Sequence, residues 1–274
     1  MSFDYRSGHP GRRRGVRPIV MTIAVALSLT AAIHAQGRGG RAAGAAQPAA
    51  TPRAIAPLDV TGYWVSIVSE DWRWRMGVGQ KGDFGYLPLN AEGRRVGNLW
   101  DPKQDEAAGN QCKAYGAVGI MRMPGRLHIT WDNDATLKVD ADNGTQTRML
   151  NFAGVGGGGA PQGFQPTWQG YSVAQWEFRG GRGGRQAAGT PRAGELKVVT
   201  TNMKSGYYYK HGVPYSENAV LTEYFTRLSE PNGDEYLAVT TMVDDSRYLA
   251  QTFVRTVQFR REPNGAKWNP APCA

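Results

Sequence analysis

Apolar and polar residues alternate with a period of two in many short segments between residues 61 and 261. In RLHITWD, the apolar Leu127, Ile129 and Trp131 share one face, and polar residues occupy the other. Such alternation predicts half-buried β-strands, because successive side chains of a strand point to opposite sides. The pattern predicts nine strands, at 61–68, 126–132, 136–141, 145–152, 170–179, 195–203, 219–228, 236–244 and 250–261.

Turn signals connect these predicted strands. An Asn-Gly pair at 143–144 and a Pro-Asn-Gly stretch at 231–233 each lie between two strands, and both are typical of tight hairpins. One short helix is predicted at 91–100, between the first two strands, with Asn90 as its N-cap. So many antiparallel strands leave exposed edges unless the sheet closes. We therefore expect an all-β fold, a single antiparallel up-and-down barrel of about 8–10 strands, with a two-sheet β-sandwich as the alternative.

The N-terminal region differs in composition from the rest of the chain. Four arginines within 12–17 precede an uncharged apolar run at 19–33, and Ala35 follows soon after. This order is typical of a secretory signal peptide, and the run is too short for a membrane span, so no transmembrane segment is expected after cleavage. The expected organisation is a signal peptide at 1–35, a flexible Gly/Ala/Pro linker at 36–57 and a barrel domain at 58–274 with low-complexity loops at 153–166 and 180–194. The protein is expected to be periplasmic or secreted.

The net charge of +9 is concentrated outside the predicted barrel domain. Residues 1–57 contain eight Arg and one Asp, a charge of +7, so residues 58–274 carry only +2. A near-neutral domain lacks the basic face that phosphate binding requires, and no nucleic-acid partner is predicted. His128 and His211 are the only histidines of this domain, so no metal site is predicted. The sequence also indicates no cofactor and no catalytic set of residues.

The first predicted strand begins with Gly62-x-Trp64, which resembles the G-x-W motif of lipocalin-like barrels. The resemblance implies that Trp64 closes the bottom of the barrel and that an Arg from the last strand packs on its indole. Arg255 shares a face with Phe253 and Phe259 in the last predicted strand, so we match it to that Arg. The chain as a whole also resembles secreted bacterial proteins of unknown function, and this resemblance implies no particular activity.

Two charged residues interrupt apolar faces of the predicted strands. Arg148 is in phase with Leu150, and Glu223 is in phase with Leu221. A buried charge is costly unless it is paired and hydrogen-bonded. The sequence therefore predicts an internal ion pair between Arg148 and Glu223, polar contacts from these residues to a ligand, or exposed side chains if the strand faces are assigned wrongly.

Two aromatic-rich segments lie outside the predicted strands, EDWRWRM at 70–76 and SGYYYKHGVPYSEN at 205–218. Aromatic side chains beside cations can cover a cavity and bind a planar ligand; the alternative is that they pack on the predicted helix. The predicted ligand-binding residues are Trp72, Trp74, Arg75, Arg148, Tyr208, Tyr215 and Glu223, and the predicted structural residues are Gly62, Trp64 and Arg255.

Cys112 and Cys273 are the two cysteines of the chain. An oxidising compartment favours a disulfide between them, with two free thiols as the alternative. Together these features predict an exported lipocalin-like binding protein for a small apolar, aromatic or anionic ligand. A cell-envelope interaction protein without a ligand is the first alternative. A hydrolase-type enzyme that uses carboxylates at the barrel mouth, such as Glu70 with Asp71, is the second.

Overall fold

Nine strands of the chain close into a barrel. In the computed structural model, residues 50–152, 158–179 and 193–274 are described. The strands are β1 Gly62–Ile67, β2 Arg126–Asn133, β3 Thr136–Ala141, β4 Asn143–Gly144, β5 Gln146–Phe152, β6 Tyr171–Phe178, β7 Gly194–Thr201, β8 Gly206–Tyr209, β9 Val213–Tyr215, β10 Val220–Ser229, β11 Glu235–Asp244, β12 Phe253–Glu262 and β13 Ala271–Pro272. The barrel contains β1, β2, β3, β5, β6, β7, β10, β11 and β12, each of which overlaps one predicted strand. The all-β barrel is confirmed, and the sandwich alternative is wrong.

The order of strands around the barrel follows the chain, and β12 closes the ring by pairing with β1. Every neighbouring pair is antiparallel except β5 and β6, which run parallel with Leu150 opposite Ser172 and Phe152 opposite Ala174. The prediction of a purely antiparallel up-and-down barrel is therefore wrong at this place. The reason is parity, since strand directions cannot alternate all the way around a closed ring that has an odd number of strands.

Both predicted hairpins are present. β3 and β5 pair antiparallel, with Ala141 opposite Gln146. Gly144 in the connecting turn has a φ of 81°, and a Cβ at this position would lie 2.2 Å from the ring of Tyr115. Glycine is thus required both for the left-handed backbone and for the close approach. β10 and β11 also pair antiparallel, and the turn at 231–233 joins them.

The connection between β1 and β2 contains more helix than predicted. It holds α1 Trp72–Arg75, α2 Ala91–Gly97, α3 Pro102–Ala107 and α4 Ala117–Ile120, with a 3-10 helix at Gln111–Tyr115. The prediction of one helix between the first two strands is therefore too simple. The side chain of Asn90 accepts a hydrogen bond from the Gly93 N–H at 2.9 Å at the start of α2, and Asp101 accepts one from Lys103 at the start of α3. These acceptors satisfy N–H groups that have no partner within the helix.

Two long connections leave the same end of the barrel. The pairing of the strands places the end of β1 and the end of β7 at the rim where β2 and β10 begin. The connections 68–125 and 202–219 therefore both cover this rim, which we name the capped end. The second connection contains the hairpin of β8 and β9. Helix α2 contacts β9, and the 3-10 helix contacts β8, so the two connections form one cap.

Inward-facing side chains fill the barrel. Leu137 and Leu196 are fully buried and belong to one cluster with Trp64. A second cluster lies at the capped end, where Leu221 of the barrel packs with Tyr208 of the cap. Burying a large apolar side chain stabilises the fold by about 1.5–3 kcal/mol. The interior is therefore a hydrophobic core made of the barrel's own side chains.

Several predicted segments fall outside the described residues, namely 1–35 entirely and 36–57, 153–166 and 180–194 in part. Across the described ranges, no helix has both the length and the apolar character needed to cross a membrane. The last residues of the predicted linker are described and lie against the barrel wall. The indole N–H of Trp176 donates a hydrogen bond to the carbonyl of Pro52 at 2.8 Å. The chain thus contacts the barrel already at Pro52, whereas the predicted domain begins at Leu58.

Candidate functional site

Trp64 lies near the start of β1 and is fully buried. Its indole N–H donates a hydrogen bond to the Val60 carbonyl at 2.9 Å. Arg261 is its partner across the strand pair, and the guanidinium carbon lies 5.8 Å from the centre of the indole. Gly62, with a φ of 119°, lies against the same guanidinium. An Arg of the last strand therefore packs on Trp64, as the resemblance implied, but the choice of Arg255 is wrong and Arg261 has this position.

Arg255 lies near the other end of β12, at the capped end. Its Nε lies 3.3 Å from a carboxylate oxygen of Asp71, and its guanidinium carbon lies 5.0 Å from the ring centre of Phe253 and 5.7 Å from that of Tyr86. Alternation places Arg255 and Arg261 on the same face of β12. The register between β12 and β1 decides which of the two arginines packs on Trp64. The alternation of apolar and polar residues does not determine this register.

Arg148 of β5 and Glu223 of β10 face each other inside the barrel. Their side chains are 2% and 0% exposed, and Arg148 donates to the two carboxylate oxygens at 2.6 and 3.0 Å. Arg148 also donates to the hydroxyl of Thr200 at 3.3 Å, which shares a hydrogen bond of 2.7 Å with Ser172. Of the three interpretations from the sequence, the internal ion pair describes this geometry. Each charge neutralises the other within the core.

The two aromatic-rich segments meet at the capped end. The ring of Trp74 lies 6.2 Å from that of Tyr209, with 20° between the planes, and 5.2 Å from Tyr86 in an edge-on contact. His211 stacks on Tyr209 at 5.4 Å. Trp72, by contrast, is 67% exposed. Trp74 is thus part of the cap, while Trp72 lies on its outer surface.

The other predicted ligand contacts in the cap are buried. Tyr208 packs edge-on against Tyr215 at 5.8 Å, and burial raises the pKa of both hydroxyls because the charged form would be desolvated. Arg75 donates to the Arg122 carbonyl at 2.9 Å and to the Ser66 hydroxyl at 2.8 Å. Burial also lowers the pKa of Arg75. These contacts join the cap to β1.

The carboxylates considered for acid–base chemistry are held in ion pairs. Glu70 pairs with Arg75, and Asp71 pairs with Arg122 at 2.8 Å and with Arg255 at 3.3 Å. A general base needs an oxygen that can reach a substrate proton. In this arrangement the carboxylate oxygens instead hold the cap together.

A cavity of about 450 Å³ lies in the cap, outside the barrel strands. Trp100, from the connection between α2 and α3, and Tyr207 of β8 supply aromatic walls. Lys113 of the 3-10 helix and Lys210 of the β8–β9 hairpin supply positive charge. Small-molecule sites typically enclose about 300–1,000 Å³ and combine apolar walls with a few polar groups. We name this space the side cavity.

Asp105, Lys113 and Tyr207 form a hydrogen-bonded group in the wall of the side cavity. The hydroxyl of Tyr207 donates to Asp105 at 2.6 Å, and the ammonium of Lys113 donates to the other oxygen at 2.5 Å. Burial and the bond to Asp105 raise the pKa of Tyr207, so its hydroxyl stays neutral. The Nζ of Lys210 lies 5.0 Å from the ring centre of Tyr115. Within the described part of the chain, no carboxylate pairs with Lys210 at 4.0 Å or less.

Two contacts define the walls of the side cavity. Cys112 and Cys273 lie at disulfide distance, with a Cα–Cα separation of 5.2 Å, and Cys273 lines the cavity. This is the pair predicted from the sequence. Trp100 packs on Gly212, which has a φ of 80° and where a Cβ would lie 1.9 Å from the indole Cγ. Only glycine fits this position, because both the backbone angle and the contact exclude a side chain.

Sequence reasoning found part of this cavity and missed the rest. Tyr207 and Lys210 belong to an aromatic-rich segment that was singled out. Trp100, Asp105 and Lys113 come from the connection between β1 and β2, where no pattern distinguishes them from other surface residues. The two groups come together only because both connections leave the same end of the barrel.

No group of three or more His, Cys, Asp or Glu side chains that could hold a metal is present in residues 50–152, 158–179 and 193–274. Comparisons of the chain with models of protein families, with curated proteins and with solved structures found no match. The similarity to lipocalin-like barrels therefore consists of the closed barrel and the contact between Trp64 and Arg261. The geometry defines a closed, filled β-barrel with a covered end and a cavity beside it.

Proposed function

We propose that the protein is an exported binding protein whose ligand occupies the side cavity and not the barrel interior. The ligand class is a small aromatic molecule with a negative charge, such as an aromatic carboxylate or sulfonate. One observation carries the proposal, namely that Trp100, Tyr207 and Lys210 line the same space of about 450 Å³. Export rests on the signal-peptide pattern at 1–35.

Each wall of the side cavity supplies one part of the recognition. The rings of Trp100 and Tyr207 offer apolar faces on which an aromatic ring can pack. Lys210 is available to pair with an anion, whereas Lys113 is already paired with Asp105. Glu106, which is exposed, also lines the cavity and opposes additional negative charge. These groups favour a ligand with one negative charge over a dianion.

The barrel interior is a poorer site because its two buried charges are already paired with each other. Arg148 and Glu223 neutralise each other, and the side chains around them, such as Leu221 and Phe225, are fully buried. A ligand that entered would have to displace core side chains and cross the cap. The loss of core packing would cost several kcal/mol, as for other disrupted cores.

Thermal-shift measurements on the purified protein with a panel of small aromatic carboxylates and sulfonates test the proposal. We expect at least one compound to raise the Tm, because a ligand that binds only the folded state stabilises it. The shift should disappear in Trp100→Ala and in Lys210→Gln. Trp72→Ala and Lys138→Gln are matched controls, since they remove an indole and an ammonium that do not line the cavity. The proposal would be contradicted if no compound raised the Tm, or if the control variants lost the rise in Tm as fully as the cavity variants.

One observation favours a second candidate function, a cell-envelope interaction protein. Trp72, Met76, Val78 and Tyr86 are 64–67% exposed within a short stretch of the cap. Neighbouring exposed apolar side chains are typical of protein interfaces. Self-association that Trp72→Ala abolishes, together with a panel that gives no thermal shift, would favour this candidate over ligand binding.

A further inference from the structure

A second and much smaller cavity, of about 10 Å³, lies beneath the cap. Trp74 and Arg122 line it from the β1–β2 connection, and Tyr208, Tyr209 and Lys210 line it from the β8–β9 hairpin. It shares only Lys210 with the side cavity. A space of this size holds one particle about as large as a water molecule. We name it the inner cavity.

Four side chains that line the inner cavity have buried polar atoms without a partner among the described residues. These atoms are Nε1 of Trp74, Nε and Nη1 of Arg122, and the hydroxyls of Tyr208 and Tyr209. Arg122, Tyr208 and Tyr209 are 4%, 1% and 2% exposed, so water outside the protein does not satisfy them. Buried polar groups almost always have a hydrogen-bond partner. Four such side chains around one small space indicate that a polar particle occupies it.

The hydrogen-bonding capacity of these side chains favours an anion. The indole N–H of Trp74 and the guanidinium N–H groups of Arg122 can only donate. Burial raises the pKa of Tyr209 to about 12 and that of Tyr208 well above its ordinary value, so both hydroxyls keep their protons and can donate. A water molecule accepts about two hydrogen bonds, whereas an anion accepts them from all directions.

The charge around the inner cavity is positive. Asp71 is shared between Arg122 and Arg255, so one carboxylate serves two guanidinium groups. Arg75 has its own carboxylate partner, and Lys210 has none in the described ranges. The residues that line the inner cavity thus include three cations, Arg75, Arg122 and Lys210, and no carboxylate, while the carboxylates that act on Tyr208 and Tyr209 lie outside the lining. Away from water, cations that line a cavity favour the uptake of an anion.

We infer that the inner cavity is a binding site for a monatomic anion of the size of chloride, with Trp74, Arg122 and Tyr209 as its hydrogen-bond donors. These residues come from both connections of the cap. The bound ion therefore joins the α1–α4 segment to the β8–β9 hairpin and stabilises the cap over the barrel. This inference does not depend on the proposed function, because the inner cavity is too small for an aromatic ligand and Lys210, which lines both cavities, is not among the donors assigned to the ion.

Thermal unfolding of the purified protein in sodium chloride, sodium bromide and sodium gluconate at equal ionic strength tests the inference. We expect a Tm roughly 3–6 °C higher in the two halides, because only they fit the cavity and stabilise the folded state. Tyr209→Phe removes one donor and keeps the ring, and Trp74→Phe removes one donor and keeps a smaller aromatic ring, so each should reduce the halide effect by about half or more. Tyr215→Phe is the matched control, since its buried hydroxyl also has no described partner but does not line the cavity. It should retain the full halide effect.

The chloride NMR line width gives a readout that requires no variant. The protein should broaden the chloride line, and bromide should reverse the broadening by competition. Equal Tm values in the three salts, a chloride line that the protein leaves unchanged, or a full halide effect in both Trp74→Phe and Tyr209→Phe would each overturn the inference. A water molecule would then be the occupant.

Discussion

Replacing Glu223 by Leu would leave the guanidinium of Arg148 inside the barrel without its carboxylate. The two side chains are 2% and 0% exposed and joined by hydrogen bonds of 2.6 and 3.0 Å, so the remaining charge cannot reach water. Removing one partner of a buried ion pair costs about 3–5 kcal/mol. We therefore expect Glu223→Leu and, separately, Arg148→Met each to lower the free energy of unfolding by about 3–5 kcal/mol.

The double variant Arg148→Met/Glu223→Leu should behave differently. It contains neither charge, and Thr200 keeps its hydrogen bond of 2.7 Å to Ser172. Replacing a whole buried pair by apolar side chains of similar volume is often neutral or stabilising by about 1–4 kcal/mol. We expect the double variant to be at least as stable as the wild type to within about 1 kcal/mol, so the two single costs should not add.

Equilibrium unfolding in urea, followed by tryptophan fluorescence and circular dichroism, measures these free energies. Glu217→Gln is the control for an exposed pair, because Glu217 and Arg247 are about half exposed and their pairing should contribute less than about 1 kcal/mol. Single costs that add in the double variant, or single variants as stable as the wild type, would refute the interpretation of the barrel interior as a filled core with a closed ion pair.

Three further predictions follow from other parts of the molecule. In the same urea assay, Trp64→Ala should lower the free energy of unfolding by about 3–5 kcal/mol because it empties a buried site. Trp72→Ala should change it by less than about 0.5 kcal/mol because Trp72 is exposed. Equal losses of stability in the two variants would contradict this prediction. Cys273→Ser should cost up to roughly 5 kcal/mol, since the bond to Cys112 closes a loop across 161 positions, and an unchanged stability in the variant would argue against the bond. Burial lowers the pKa of His211, so the unfolded chain takes up a proton first and stability should fall as the pH drops below about 6.5. His211→Gln should reduce the slope of this loss, and identical slopes in a pH series of unfolding curves would show that His211 does not cause it.

Strands and turns could be predicted because local chemistry determines them. In β2, Leu127 and Ile129 are buried while His128 and Thr130 are partly exposed, since one face of the strand meets the core and the other meets solvent. The turn at 143–144 was predictable for a similar reason, because Gly144 has a left-handed backbone, which glycine adopts without strain. Alternation also placed Arg148 and Glu223 on inward faces, and pairing was one of only a few ways to bury them.

The features that could not be predicted depend on relations between distant segments. Arg255 and Arg261 have the same phase in β12, and only the register with β1 decides which packs on Trp64. The parallel pair of β5 and β6 follows from the number of strands that close the ring, which no single segment contains. The side cavity likewise depends on topology, since Trp100 and Lys210 lie in different connections that happen to leave the same rim.

The affinity of one aromatic anion for three forms of the protein tests most directly whether the ligand binds beside the barrel while the interior is structural. Anilinonaphthalene sulfonate is a suitable probe because its fluorescence rises in apolar surroundings. We predict a Kd within about twofold of the wild type for the interior variant Arg148→Met/Glu223→Leu. For the cavity variant Trp100→Ala/Lys210→Gln, we predict binding at least about tenfold weaker, a loss of roughly 1.4 kcal/mol or more. The prediction would be contradicted if the cavity variant bound the probe as tightly as the wild type and the interior variant no longer bound it.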